Sequence, residues 1–227
     1  MAVDPNASIE ITAFAWVLEG AQGLVKDLRV RWALEEAGLG YRVRLIAGDR
    51  PPDYLQDQPF SQVPCFRDDS VRIFESGAIV QYIGEKSEAL LPRDPQGKYR
   101  AVQWSCAALS SVEPFVQARA LLNSFWADEE WAEPAKPTFD HFARLRLQQL
   151  SDSLADKPWL EGDRFTIGDL MMVTVLRLAD RSGQLADFPT LAAYVRRGEA
   201  RPAFQQALSD QLAAFAANQP RLEGAAA

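Results

Sequence analysis

Residue types able to do chemistry gather at a few places along the chain. One is Gln58-Pro59-Phe60-Ser61-Gln62-Val63-Pro64-Cys65-Phe66. A proline in a strand-like run cannot donate a ladder hydrogen bond, so it belongs at an edge or in an unusual geometry, and a cis Val63–Pro64 bond suits both. It leaves the main-chain groups of Val63 available to pair with a ligand; a structural edge-strand proline is the other reading. A second place is Glu75-Ser76-Gly77-Ala78-Ile79, where Ser76 opens a helical pattern. A helix start offers unpaired N–H groups and a positive dipole end to an anion, and a serine hydroxyl adds a donor. The same residues also read as an N-cap serine beside a glutamate favoured by the dipole. Ser76 can do both.

The other reactive types have structural readings. Cys65, directly after Pro64, is expected to point into the core. Cys106, inside a helical run, is expected to pack in the core rather than to meet an electrophile. His141, with Asp140 beside it, reads as a surface helix position. Thr166 and Asp169 have the spacing of a capping box, in which two helix-end donors are satisfied reciprocally, so their role is folding. Trp104, Phe115, Phe125, Trp126 and Trp131 form an aromatic run that would build either an apolar second pocket or a bundle core and dimer contact.

These residues must be positioned by elements of two kinds. Ile9, Ile11 and Ala13 alternate with Glu10 and Thr12, the period of a strand with one buried face. Val30, Ala33, Leu34 and Ala37 fall on one helical face, stopped at Gly38. Tyr41, Val43 and Leu45 alternate with Arg42 and Arg44 as a second strand. Gln62–Phe66 and Val71–Phe74 flank the turn formers Asp68, Asp69 and Ser70, predicting a hairpin, and Ser76–Glu85 a helix. After Leu90–Gly97, which carries Pro92 and Pro95, the pattern turns helical throughout. The spacing predicts helices over Tyr99–Leu122, Thr138–Leu154, Ile167–Leu178, Leu191–Glu199 and Pro202–Ala216, with Asn123–Pro137 as a variable rim. The domain reading is 8–87 α/β, 88–97 linker and 98–220 all-α. The stretches Met1–Ala7 and Gly224–Ala227 are expected to fray.

Taken together, the Gln-Val-Pro hairpin entry, Glu75-Ser76-x-Ala-Ile at a helix start and Phe165-Thr166-Ile167-Gly168-Asp169-Leu170 resemble the cytosolic glutathione S-transferase family of bacterial type. Trp159-Leu160-Glu161-Gly162-Asp163 and Arg201-Pro202-Ala203 stand where that family places similar strings, so the resemblance runs from about Ile9 to Ala216. It implies a thioredoxin-like N-terminal domain and an all-helical C-terminal domain. It also implies glutathione as co-substrate, held by Gln62, Val63, Pro64, Glu75 and Ser76: the Val63 main chain on the cysteinyl unit, Ser76 on the γ-glutamyl carboxylate, Glu75 on the ammonium. The implied reaction is attack of the glutathione thiolate on a small hydrophobic electrophile, in a cytoplasmic homodimer with a detoxifying role. Trp16, Trp104, Phe115 and Trp126 would line the second-substrate pocket.

One part of the family pattern is missing. From Phe14 to Arg31 there is no Tyr, Ser, Thr or Cys to donate to the thiolate. Backbone N–H groups at the start of the first helix, the Lys26 cation and the Trp16 indole are the physical substitutes. Lys26 also reads as a solvated first-turn residue partnered by Asp27, and Trp16 as pocket wall. Two other functions therefore stand beside the transferase: a non-catalytic protein that binds glutathione or a hydrophobic ligand, and a glutathione-dependent reductase or peroxidase.

Composition excludes several classes. A net charge of −7 with no basic stripe argues against a nucleic-acid partner. Cys65 and Cys106 form no metal-spaced cluster or disulfide framework, so no metal is expected. No long uncharged apolar stretch points to a membrane.

Overall fold

The computed structural model describes residues 3–48 and 50–220; Gly224–Ala227 lies outside them. In chain order the elements are β1 (Glu10–Phe14), α1 (Asp27–Ala37), β2 (Arg42–Ile46), β3 (Cys65–Arg67), β4 (Arg72–Phe74), α2 (Ser76–Lys86), α3 (Pro95–Ala107), α4 (Glu113–Leu121), α5 (Ala132–Leu154), α6 (Ile167–Arg181), α7 (Pro189–Glu199) and α8 (Pro202–Ala217). Two compact units result. One holds the residues up to 79 and those from 202 onward, the other residues 80–201.

The first unit is a thioredoxin-like fold around a four-stranded mixed sheet in the order β2-β1-β3-β4. β1 runs parallel to β2 and antiparallel to β3, and β3 is antiparallel to β4. β1 is buried on both faces, not on one as its alternation suggests. Ile11 and Ala13 belong to the apolar core. Thr12 bonds the Tyr54 hydroxyl at 3.0 Å, and Glu10 is covered by Arg42, Arg44 and Arg67 at 3.1, 3.5 and 2.9 Å. Three guanidinium groups over one carboxylate let a charged residue occupy a buried face.

α1 is likewise buried nearly all round, from Asp27 to Glu35. Its apolar stripe is the one the sequence shows, but α8 covers a second side: Trp32 meets Phe204 edge-on at 4.9 Å, and Gln211 donates to Asp27 at 2.7 Å and to the Val25 carbonyl at 3.3 Å. Gly38 closes α1 at φ +66, the left-handed conformation that favours glycine. Residues 3–7, expected to fray, are tied down. The Asp4 N–H donates to the Tyr41 carbonyl at 2.8 Å, and Arg42 donates to the Ala7 carbonyl.

The hairpin begins at Cys65 rather than Gln62, because Pro64 has no N–H to offer the ladder. Its turn forms as expected: the Asp68 carboxylate accepts from the N–H groups of Ser70 and Val71 at 2.8 and 3.0 Å.

The second unit is all-helical, and its largest departures from the sequence reading are at three places. α3 starts at Pro95, four residues early, because Asp94 caps it by accepting from the Gly97 N–H at 2.7 Å. The run expected as one helix to Leu122 is interrupted by a π-turn over Ala108–Val112, one residue short of Pro114. Proline supplies no N–H and crowds the preceding turn, and a wider turn accommodates it. α5 starts at Ala132, so the second half of the expected rim is helix despite Pro134 and Pro137, which sit in its first two turns.

α6 is the centre of this unit, buried from Ile167 to Val173. Its capping box is formed. Thr166 Oγ1 accepts from the Gly168 N–H at 3.1 Å, and Asp169 Oδ2 accepts from the Thr166 N–H at 2.9 Å. The other carboxylate oxygen of Asp169 accepts from the Leu160 N–H and the Tyr194 hydroxyl, each at 2.8 Å. Burial pushes the Asp169 carboxyl up, against these donors. One side chain thereby joins the Trp159–Asp163 string, α6 and α7.

Candidate functional site

The Val63–Pro64 bond is cis. The β1–β3 ladder consists of the pairs Glu10–Arg67 and Ile11–Phe66, so the main-chain N–H and C=O of Val63 stand outside it. The segment is fixed from behind by Tyr54, whose hydroxyl donates to the Gln62 carbonyl at 2.6 Å and bonds Thr12. Thr12 Oγ1 in turn accepts from the Cys65 N–H at 2.7 Å. The Val63 side chain is buried with Ile46, Tyr54 and Cys65, while Phe14 and Val25 pack against that cluster. The end of β1 and the residue two before α1 are thus brought to the cluster that holds Val63. Gln62 has an exposed side chain.

Ser76 opens α2 and is buried, and Ile79 N–H to Glu75 O at 3.0 Å is the first bond of the helix. The N–H groups of Ser76, Gly77 and Ala78 have no partner within the helix. Glu75 is exposed and held at φ +70, a left-handed conformation costly for a residue with a side chain. Arg29, from α1, is 4% exposed and donates to Ser76 Oγ at 3.3 Å. Sequence reasoning missed it; its polar type at a position off the apolar stripe of α1 suggests a solvated residue.

Trp16 is half-buried in the loop after β1, and its indole makes no hydrogen bond or ring contact among the described residues. That loop carries a short 3₁₀ turn at Glu19–Ala21, and Gln22 donates to the Val17 carbonyl at 3.2 Å. Lys26 is exposed at the head of α1. Arg50 was also missed: its guanidinium lies 5.1 Å from the Phe14 ring and donates to the Ser61 carbonyl at 2.7 Å, adding a cation beside the Gln62–Val63 segment.

Trp104, Phe115 and Trp126, expected to line one pocket, have three separate sets of neighbours. Trp104 donates its indole N–H to Glu161 at 2.7 Å. Phe115 stacks on Phe142 at 5.4 Å under the Arg146 guanidinium, and Trp126 leans on Trp131 at 5.4 Å. No ring contact joins any two of Trp104, Phe115 and Trp126 among the described residues. A cleft of about 340 Å³ in this unit is lined by the pairs Arg119–Asp140 and Arg144–Asp187 together with Ala143, Leu147 and Ala186, and by none of these three aromatic residues.

Cys65 is buried as expected, and burial pushes its thiol up, away from the reactive thiolate. Cys106 is exposed, against the expectation of core packing. It lies between Ser105, which is buried, and Ala107, and a helix turns by about 100° per residue. His141 is exposed on α5, its ring edge-on to Phe142 at 5.4 Å. No group of three or more His, Cys, Asp or Glu residues among those described could hold a metal ion. None of the described helices is long and apolar enough to cross a membrane.

Comparison with known proteins places the chain in a family. The glutathione S-transferase N-terminal domain model matches residues 22–85, and the corresponding C-terminal domain model matches residues 121–202. The chain is 31% identical over 171 residues to the glutathione S-transferase GstA of Escherichia coli O157:H7, covering 73% of this chain and 80% of the relative. It is 32% identical over 197 residues to the maleylacetoacetate isomerase of Rhizobium meliloti, covering 81% and 91% respectively. A crystal structure of a glutathione transferase family member from Pseudomonas fluorescens, with two glutathione bound, superposes with a TM-score of 0.78 over 90% of this chain and 93% of that one. At 23% identity that likeness speaks for the fold. The agreement of both domain models in chain order with relatives matched over most of their length makes this chain a member of the glutathione S-transferase family.

Proposed function

We propose that the first unit binds glutathione and activates its thiol for attack on a small hydrophobic electrophile. The observation that carries this reading is the Val63 main chain, standing outside the ladder beside a cluster that also seats Val25 ahead of α1. An extended peptide can pair with such a segment as an added strand. The cysteinyl unit would lie there, the γ-glutamyl carboxylate at Ser76 and the α2 N-terminus, and the ammonium against Glu75. Gln62 and Arg50 flank the same segment.

With no hydroxyl or thiol between Phe14 and Arg31, the Val25 packing favours main-chain N–H groups at the start of α1 as the thiolate stabiliser. Lys26, exposed, and Trp16, half-buried, are the side-chain alternatives. The thiolate forms a carbon–sulfur bond, and the electrophile either expels a leaving group or, after addition to a double bond, takes up a proton. If the thiolate later leaves again, the net result is isomerisation, the activity in the name of the Rhizobium relative. Within the first unit, half-buried Trp16 would offer apolar surface to the second substrate. A cytoplasmic homodimer remains part of the proposal.

The missing hydroxyl favours a second reading, a binding protein without thiol activation. Titrating the thiolate absorbance of bound glutathione against pH separates the two. A thiol pKa well below that of free glutathione supports activation, at about 1.4 kcal/mol per unit. An unshifted value in a saturated complex overturns it in favour of the binder. Turnover of a disulfide without turnover of any electrophile would instead select a reductase.

A further inference from the structure

Gln211, on α8, is a neutral polar side chain that is 1% exposed. Its amide nitrogen is directed wholly at the entry to α1, donating to Asp27 Oδ1 at 2.7 Å and to the Val25 carbonyl at 3.3 Å. Its Oε1 is buried with no hydrogen-bond partner among the described residues. A side chain that only filled the contact between α1 and α8 would do better as a hydrocarbon, because a buried acceptor left unpaired opposes folding. Neither of its partners depends on it. The Val25 carbonyl also accepts from the Leu28 N–H at 3.0 Å, and the other carboxylate oxygen of Asp27 accepts from Arg31 Nε at 2.7 Å.

What Gln211 adds is a fixed position. It ties residues 25 and 27 to one point on a 16-residue helix, while the Val25 side chain packs on the cluster that holds Val63. The N–H groups of Leu28 and Arg29 are taken by the Val25 and Lys26 carbonyls at 3.0 and 3.2 Å. A sulfur at the start of α1 would therefore meet the main chain ahead of Leu28, within the stretch that Gln211 holds. We infer that Gln211 is a positioning residue for thiol activation: from α8 it holds the Val25–Asp27 main chain in register with the Val63 segment, where that main chain can face the sulfur of a bound glutathione. This rests on the activation reading above. Gln211 acts through that main chain and takes no part in the bond changes at sulfur. A displaced main chain stabilises the thiolate less and leaves the other ligand contacts in place, so the effect belongs in the thiol pKa.

The test uses the full chain and its Gln211→Met variant, in which an apolar side chain of similar length strands no partner. The bound thiol of glutathione is titrated by thiolate absorbance, and S-methylglutathione, which has no thiol to ionise, is titrated by calorimetry. In the variant the pKa of the bound thiol should rise by about one unit, so that the thiolate population well below that pKa falls about 10-fold. The affinity for S-methylglutathione and the thermal midpoint should stay as in the wild type. Should the Met variant not fold, Gln211→Ala is read by the same two quantities, and failure of both to fold overturns the assignment in favour of a purely structural role. An unchanged thiol pKa in a folded variant overturns it as well, and so does a raised pKa accompanied by loss of S-methylglutathione affinity, which would mean that the whole groove had moved. A wild-type chain that binds glutathione with an unshifted thiol overturns the activation reading and this assignment with it. One that binds neither ligand overturns the glutathione reading itself.

Discussion

At position 76 a single hydroxyl stands between a buried guanidinium and a helix end, so its removal is expected to be felt in binding more than in folding. Ser76→Ala should weaken glutathione binding by about 1–3 kcal/mol while the thermal midpoint changes little; equilibrium dialysis at matched pH measures it, and unchanged affinity in a folded variant removes Ser76 from the site. Both Val63–Pro64 and Ser76 were legible in the sequence because their signals are local. A proline announces its missing N–H wherever it stands, and an acidic-Ser pair before an apolar run announces a helix start. Arg29, Arg50 and Cys106 were not. Their burial or exposure depends on chain segments tens of residues away, and residue type alone assigns an arginine to solvent and a cysteine to the core.

Between elements, α6 comes close to α3 at Gly168, where an added Cβ would lie 2.6 Å from the Trp104 Cβ and 3.1 Å from the Ala101 carbonyl. Neither neighbour is the end of a flexible side chain, so Gly168→Ala should push α6 from α3 and destabilise by about 1–3 kcal/mol in denaturant unfolding. The cap beside it separates two contributions. Thr166→Ala removes one N-cap acceptor, about 1 kcal/mol. Asp169→Ala strands the N–H groups of Leu160 and Thr166 and the Tyr194 hydroxyl, and should cost about 3 kcal/mol or more. Equal losses in the two variants would show that the carboxylate does no more than cap. Helix existence was legible here, and so was this box, because periodicity and capping are written within a few residues. The π-turn at Ala108–Val112 and the early start of α5 were not, since a proline states which bond it cannot make and not how the chain accommodates it.

For the molecule as a whole, the buried tyrosines set a limit on the alkaline side. Burial pushes Tyr54 up to about 12, and Tyr41 and Tyr194 upward as well. Unfolded tyrosine ionises near pH 10, so above that value the unfolded chain has released protons that the folded chain keeps. The contribution of these groups is fully present below about pH 10 and is lost as pH rises toward 12. Urea midpoints at pH 9 and 11 should show that fall, and Tyr54→Phe should make it shallower; an identical slope would mean that Tyr54 ionises in the fold as it does in water. An α/β domain followed by helices was readable from the switch of period alone; that the first is thioredoxin-like came with the resemblance. Nothing in the pattern of Pro202–Ala217 says that its partner is α1, because a helix shows which face is apolar and not what will cover it. That pairing makes synthesis order matter. The first unit contains every residue proposed to hold glutathione, all of them translated by position 76, yet Trp32 and Asp27 obtain Phe204 and Gln211 only when α8 leaves the ribosome. A chain stopped after Arg201 would keep each proposed ligand contact and still lack the lid on α1, so it should be lost from a glutathione column: a damaged end would silence the beginning.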